Sequence, residues 1–123
     1  MNHMKQVKWL ITIFCMAFAV SAFAQSTAAQ STGTTTTVFK VYGNCNSCKK
    51  HIETAARVPG VTKADWNKDS KMLTLVYDPA KVTVDDVQKR IAAVGYDTPK
   101  FRGDDKAYNK LDECCQYDRK PAN

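Results

Sequence analysis

The amino-acid sequence predicts one α+β domain whose elements follow the order strand, helix, strand, strand, helix, strand. Two observations predict this class. Short runs in which apolar and polar residues alternate, typical of half-buried strands, flank two stretches with apolar residues at helical spacing. The chain of 123 residues leaves room for one domain at most, because domains rarely hold fewer than about 50 residues and typically hold about 100.

The first strand leads directly into the first helix. The strand is predicted over residues 38–42, because Phe39 and Val41 alternate with a lysine. A Gly-Asn break follows, and the spacing of apolar residues predicts a short helix over residues 49–57. Pro59 ends this helix, since proline disfavours helical backbone at the residue before it.

A hairpin and a second helix come next. Residues 61–66 and 72–77 are rich in branched and aromatic side chains, and the polar residues between them are typical of a turn. The second helix follows Thr83, which can cap it while Asp86 completes a variant of the capping box, and Gly95 ends it. Its apolar stripe consists of Val84, Val87, Ile91 and Val94.

A last short strand is predicted over residues 98–102, at a sheet edge where Pro99 and its missing N–H are tolerated. The complete order is the ferredoxin-like βαββαβ plan, a four-stranded antiparallel sheet with two helices on one face. The predicted core consists of Phe39, Val41, Ile52, Leu73, Leu75, Val87 and Ile91.

The first 24 residues have the layout of a secretory signal peptide. Lys5 and Lys8 precede an apolar run over residues 9–20, and a small-residue site predicts cleavage after Ala24. A transmembrane anchor is the alternative, but a bilayer span needs about 20 apolar residues. We therefore expect residues 1–24 to be a signal peptide and the protein to be exported.

Three segments are predicted after the signal peptide: a flexible linker over residues 25–37, the domain over 38–103 and a cysteine-containing tail over 104–123. Loss of Lys5 and Lys8 lowers the formal charge from +6 to +4. Basic and acidic residues are interleaved, so the sequence predicts no nucleic-acid surface and favours a partner with an acidic docking face. We expect a monomer without a stable membrane span.

Five cysteines are present, of which Cys15 lies in the predicted signal and four lie beyond it. Oxidising compartments favour disulfides, so two bridges are the first interpretation of four cysteines. The spacing argues against this, because Cys45 and Cys48 form one tight pair and Cys114 and Cys115 another, which is not a framework of staples.

The chemistry of the first pair indicates a metal site. Cys45 and Cys48 lie where the first strand gives way to the first helix, and residues three apart there face the same way, so both sulfurs can reach one ion. Thiolates select copper(I), zinc and similarly soft ions over calcium or magnesium. The free N–H groups at a helix start also lower a thiol pKa, which favours the metal-binding form.

Four short motifs in the right order resemble those of the heavy-metal-associated domain family. The segment Gly43-Asn-Cys-Asn-Ser-Cys48 resembles the family's Gly-Met-x-Cys-x-x-Cys loop, shortened or shifted by one residue, and Val58-Pro-Gly-Val61, Tyr77-Asp-Pro79 and Gly95-Tyr96 resemble further family positions. The resemblance covers roughly residues 36–102. It implies a metallochaperone or metal-scavenging protein whose commonest cargo is copper(I), with the periplasmic mercury(II)-binding proteins as another close type.

The resemblance has further implications for location, partner and site. It implies a periplasmic protein that passes its ion to a metal transporter or another metal-binding domain. The family's methionine beneath the metal loop has no counterpart, since Asn44 directly precedes Cys45. Tyr96 matches the aromatic residue that approaches the loop in bacterial members, and a core tyrosine with a satisfied hydroxyl is the alternative.

Three other residues are candidate ligands. His51 completes Cys-x-x-Cys-x-x-His and would shift the preference toward zinc, although a solvent-facing histidine is the favoured interpretation. Cys114 and Cys115 have three open interpretations: extra ligands to the same ion, a second ion or its transfer, or disulfides. Tyr108, Leu111 and Cys115 follow helical spacing, and adjacent helical cysteines point about 100° apart, so both reach one ion only if the helix unwinds.

Two other functions remain open from the sequence. A CxxC at a helix start is also typical of thiol-disulfide oxidoreductases, but the elements are too few for a thioredoxin-like sheet and no general base is evident. The four cysteines could instead close a structural zinc site, which would hold its ion without releasing it. We expect no enzymatic activity. The cargo is copper(I) or mercury(II) by preference, with zinc or cadmium as alternatives.

Overall fold

The computed structural model describes residues 33–119. The predicted signal peptide, its cleavage after Ala24 and the linker up to residue 32 lie outside the described residues. So do residues 120–123 of the tail.

A three-stranded antiparallel sheet forms one layer of the described domain. Strand β1 spans Thr35–Lys40, β2 spans Val61–Trp66 and β3 spans Met72–Tyr77, in the order β1-β3-β2. Phe39 of β1 lies opposite Leu73 of β3, so their side chains share the buried face. The predicted hairpin of β2 and β3 is confirmed.

Strand β1 begins earlier than the sequence predicted. Thr35 pairs with Tyr77 and Thr36 with Val76, so residues 35–37 belong to the sheet and not to the linker. Threonine is branched at Cβ and suits a pleated strand with one solvated face. Thr35 and Thr36 are exposed, so the polar composition that indicated a linker belongs to the exposed end of an edge strand.

Two helices pack against each other and share one core with the sheet. Helix α1 spans Asn46–Ala56 and α2 spans Val84–Ala93. The predicted capping box is present, because Thr83 Oγ1 accepts the Asp86 N–H at 3.1 Å and the Asp86 carboxylate accepts the Thr83 N–H at 3.3 Å. The described residues contain no helix with the length and apolarity that a bilayer crossing requires.

All seven predicted core residues are buried. Val94 is an exception to the predicted stripe of α2, because the helix ends at Ala93 and the Val94 side chain is 38% exposed. The core also contains buried side chains that the sequence analysis did not place there, among them Trp66, Cys48, Cys115 and Tyr117. Tyr96, for which a core position was one of two interpretations, is buried with them.

The predicted fourth strand over residues 98–102 does not form among the described residues. Instead, the segment closes into a turn in which the Thr98 N–H donates to the Phe101 carbonyl at 2.8 Å and the Phe101 N–H donates to Thr98 Oγ1 at 3.1 Å. The proline within this turn has no N–H to offer a neighbouring strand. Just before this turn, the Asp97 carbonyl accepts the Tyr42 N–H at 3.1 Å, two residues beyond the end of β1.

The tail folds back onto the domain. A short helix α3 spans Asp105–Asn109, and a 3-10 turn spans Glu113–Cys115. The single helix predicted from Tyr108 to Cys115 is therefore wrong. The chain leaves α3 after Asn109 and turns back, which brings the second cysteine pair toward the first.

Candidate metal centre

The CxxC loop is built by the start of α1. Cys45 is the N-cap residue with extended backbone, φ −134° and ψ 175°, and Cys48 lies in the first turn of the helix. Their sulfur atoms are 3.3 Å apart, and the Asn44 N–H points at the Cys48 sulfur at 3.4 Å. Cys48 is fully buried whereas Cys45 is partly exposed, so the pair has one inner and one outer sulfur.

The tail places its two cysteines against this pair. The Cys45 sulfur lies 3.4 Å from that of Cys114 and 3.3 Å from that of Cys115. The sulfurs of Cys45, Cys48 and Cys115 all lie within 4.8 Å of one another. All four residues are free thiols. Three interpretations of Cys114 and Cys115 were open, and this arrangement favours the one in which they are extra ligands to the same ion. That interpretation required a departure from α-helix at the two cysteines, and the 3-10 turn is such a departure.

The local environment sets the thiols apart electrostatically. Burial of Cys45 raises its pKa, but the hydrogen bond from the Cys48 N–H and those with the thiols of Cys115, Cys48 and Cys114 outweigh burial and lower the pKa from 9.0 to about 6. Burial raises the pKa of Cys115, and the hydrogen bond with Cys45 raises that of Cys114. A pKa of about 6 makes Cys45 mainly a thiolate at neutral pH.

Alkylation of Cys45 by iodoacetamide should consequently reach half its maximal rate near pH 6, because the thiolate is the reacting form. Peptide mapping by mass spectrometry across a pH series measures this rate. Cys114 provides the internal comparison, since it is exposed but has a raised pKa and should react only at higher pH. A Cys45 that reacts only over the same higher pH range as Cys114 would contradict a lowered pKa at Cys45.

Tyr96 fits both interpretations of its role. It is fully buried in the core, and its hydroxyl is 2.9 Å from His51 Nδ1. Burial, followed by interactions with the thiols of Cys48 and Cys115, raises the pKa of the Tyr96 phenol. Tyr96 is therefore a core residue that stays a neutral phenol and also approaches the thiol group.

His51 lies on the exposed side of α1 and is not part of the thiol group. Its Nδ1 contacts the Tyr96 hydroxyl, which leaves the histidine as a partner of that tyrosine. Replacement of His51 by alanine should change metal affinity by less than about threefold, equivalent to under about 1 kcal/mol. Competition with a chelator measures it, and a loss of more than about tenfold would make His51 a ligand.

A tryptophan lies beneath the loop, a position that the sequence analysis did not predict. Trp66, at the end of β2, is fully buried, donates from Nε1 to the Val41 carbonyl at 3.0 Å, and packs so closely on Gly43 that a Cβ there would lie 3.0 Å from its ring. Glu53 and Lys49 of α1 bind the Trp66 N–H and carbonyl at 2.9 and 2.7 Å. Trp66 thus supports the loop in which Asn44 replaces the usual methionine.

Tyr117 is a second residue near the site whose role the sequence analysis did not predict. Its hydroxyl donates to the Gly95 carbonyl at 2.7 Å and accepts from the Asp97 N–H at 2.8 Å, and its ring stacks on Tyr96 at 5.8 Å. Gly95 has φ +100°, and a Cβ there would lie 2.7 Å from the Tyr108 backbone nitrogen, so only glycine admits the tail at this distance. Tyr117 holds the tail cysteines in place.

Known proteins share this domain. Residues 38–97 match the heavy-metal-associated domain. The copper chaperone CopZ of Staphylococcus epidermidis is 34% identical over 65 residues, which are 51% of this chain and 96% of CopZ. The zinc-transporting ATPase of Synechocystis sp. is 43% identical over 54 residues, but these cover 43% of this chain and only 8% of the ATPase.

A solved structure agrees with these sequence relatives. Oxidized MerP from Ralstonia metallidurans CH34 is 29% identical with a TM-score of 0.51, and the match covers 54% of this chain and 94% of MerP. The fold and the order of the motifs agree with a sequence match that covers nearly the whole length of CopZ. This chain therefore belongs to the heavy-metal-associated domain family.

Proposed function

We propose that this protein captures a soft metal ion at Cys45 and Cys48 and transfers it to another metal-binding protein. The observation that carries the proposal is the pair of sulfurs 3.3 Å apart at the start of α1, one buried and one accessible. The depressed pKa of Cys45 supplies a thiolate at neutral pH, and the partial exposure of this thiolate allows a partner to reach the ion. Binding and release are both needed in a carrier, which itself catalyses no reaction.

Copper(I) is the favoured cargo and mercury(II) the next. All candidate ligands in the thiol group are sulfur, which suits soft ions. The relatives named for their cargo are a copper chaperone and a zinc-transporting ATPase, and MerP has the same fold. Zinc and cadmium remain alternatives because they also bind thiolates.

The partner is a metal transporter or another metal-binding domain with an acidic docking face. The match to a segment of a zinc-transporting ATPase supports this class of partner. The net positive charge of the chain favours an acidic surface. The predicted signal peptide further suggests a periplasmic location, where a reductant or prior metal loading must keep Cys45 and Cys48 from closing as a disulfide.

Native mass spectrometry tests this function directly. The reduced chain from Gln25 onward is mixed with copper(I), mercury(II), zinc and cadmium in competition, and the retained ion is identified. The loaded protein is then mixed with a separate CxxC domain to follow transfer. We expect one soft ion per chain and transfer to the acceptor, whereas a protein that retains none of the four ions would contradict the proposal.

A structural zinc module is the second candidate, because Cys45 lies within 3.4 Å of three other sulfurs. Four thiolates around zinc would form a closed tetrahedral site. Resistance of bound zinc to a mild chelator would favour this module, and rapid release would favour the carrier.

A further inference from the structure

The four thiols form two groups of three that share one edge. The inner group is Cys45, Cys48 and Cys115, whose sulfurs lie within 4.8 Å of one another. The outer group is Cys45, Cys114 and Cys115, with sulfur separations of 3.4, 3.3 and 3.9 Å. Cys45 and Cys115 belong to both groups. An ion held by these two can therefore be completed by either Cys48 or Cys114.

Exposure distinguishes the two groups. Cys48 and Cys115 are fully buried, whereas Cys114 is exposed and lies on the solvent side of Cys45. The outer group thus contains one exposed thiol, that of Cys114. In the inner group, only the Cys45 thiol is partly exposed. A partner protein meets Cys114 first.

The spacing suits three-coordinate binding of a soft ion. At a metal–sulfur distance of about 2.3 Å, a trigonal site needs sulfurs about 4.0 Å apart. The outer separations of 3.3 to 3.9 Å therefore need only a small opening, to which the exposed Cys114 side chain can contribute at low cost. A regular α-helix through both tail cysteines would not have allowed this geometry.

The tail is anchored, so the outer group is a built feature of the domain. The Tyr108 hydroxyl donates to the Tyr117 carbonyl at 2.7 Å, and the Tyr117 hydroxyl bonds to Gly95 and Asp97. Arg119 adds an ion pair with Asp97 at 3.0 Å. These bonds begin two residues after Cys115 and fix its sulfur over the CxxC loop.

We propose that the ion enters and leaves through the outer group and is stored in the inner one. In the inward step a bond from the ion to the Cys48 sulfur forms and the bond to Cys114 breaks, while Cys45 and Cys115 stay bound. The proton that Cys48 loses is balanced by the one that Cys114 regains, and no electron is transferred. This relay rests on the proposed carrier function and assigns Cys114 to transfer and Cys48 to storage, with Cys45 and Cys115 bound in both states.

The test separates affinity from rate. For Cys114→Ser we expect copper(I) affinity within about threefold of the parent but release to a chelator, and uptake, at least about tenfold slower. For Cys48→Ser we expect weaker affinity with release at least as fast as in the parent. X-ray absorption should count three sulfurs around the ion in the parent and in Cys114→Ser, and two in Cys115→Ser.

Glu113→Gln is the matched control, because it changes an exposed side chain of the same 3-10 turn without removing a thiol. It should leave both affinity and rate unchanged, and circular dichroism verifies the fold of every variant. The relay is wrong if Cys114→Ser transfers at the parent rate, or if its affinity falls as far as that of Cys48→Ser, which would indicate one four-thiol site. Failure of the parent to bind any of copper(I), mercury(II), zinc and cadmium would instead refute the carrier function.

Discussion

Combined replacement of Cys45 and Cys48 by serine is expected to lower copper(I) affinity by more than about a thousandfold. Structural zinc sites contribute about 10–16 kcal/mol over about four ligands, or about 2.5–4 kcal/mol each. At this scale, loss of two ligands costs about 5–8 kcal/mol, and each 1.4 kcal/mol is about tenfold in affinity. Competition of the reduced protein with a copper(I) chelator measures the change.

The double variant Cys114→Ser with Cys115→Ser is its counterpart. It retains the Cys45–Cys48 pair, which approaches to 3.3 Å without help from the tail, so it should bind more tightly than the CxxC variant. Serine is close to cysteine in size, and unfolding curves of both variants show whether the buried sites tolerate it. Parent-like affinity of the Cys45, Cys48 double variant would remove the CxxC loop from the site and overturn the carrier function.

The part of the site that the sequence predicts well is the local part. The strand-to-helix transition places Cys45 and Cys48 three residues apart at a helix start, and neighbouring residues suffice to set this geometry. The capping box at Thr83 and the core positions of α2 follow from short spacings in the same way. The predictions that rest on short-range patterns therefore agree with the structure.

The contact of the two cysteine pairs depends on long-range packing. Cys45 and Cys115 are 70 positions apart, and no periodicity connects them. Their approach requires a tail that turns back after α3, a glycine with positive φ at position 95 and the hydroxyl of Tyr117. The sequence showed thiols at both ends of the domain. It did not show which contacts of the tail would bring the two pairs together.

The predicted fourth strand was wrong because a local turn competes with sheet pairing. The N–H groups of Thr98 and Phe101 both bond within this turn, so neither is left to pair with β1. The reverse happened at residues 35–37, where a polar composition indicated a linker and pairing with β3 made a strand. A local turn therefore decided the structure at residues 98–102, and long-range pairing decided it at residues 35–37.

Replacement of Tyr117 by alanine is expected to destabilise the domain by about 3–5 kcal/mol, the usual cost of removing a large buried aromatic side chain. Tyr117 is 2% exposed and stacks on Tyr96, and its hydroxyl satisfies the Gly95 carbonyl and the Asp97 N–H. Tyr117→Phe keeps the ring but removes the hydroxyl that bonds these buried groups. We therefore expect it to lower the free energy of unfolding by about 1–3 kcal/mol. Urea unfolding followed by fluorescence measures both variants.

Tyr117→Ala should also change the metal site, because the ring of Tyr117 holds Cys115 over the CxxC loop. X-ray absorption of the copper(I)-loaded Tyr117→Ala variant should count two sulfurs around the ion, where three are expected for the parent. Tyr77→Ala is the matched control, since Tyr77 packs partly on the core from β3, opposite Thr35 and Val61. It should lose stability and keep three sulfurs. If Tyr117→Ala also keeps three, the tail cysteine reaches the ion without this anchor, and the packing of Tyr117 serves stability alone.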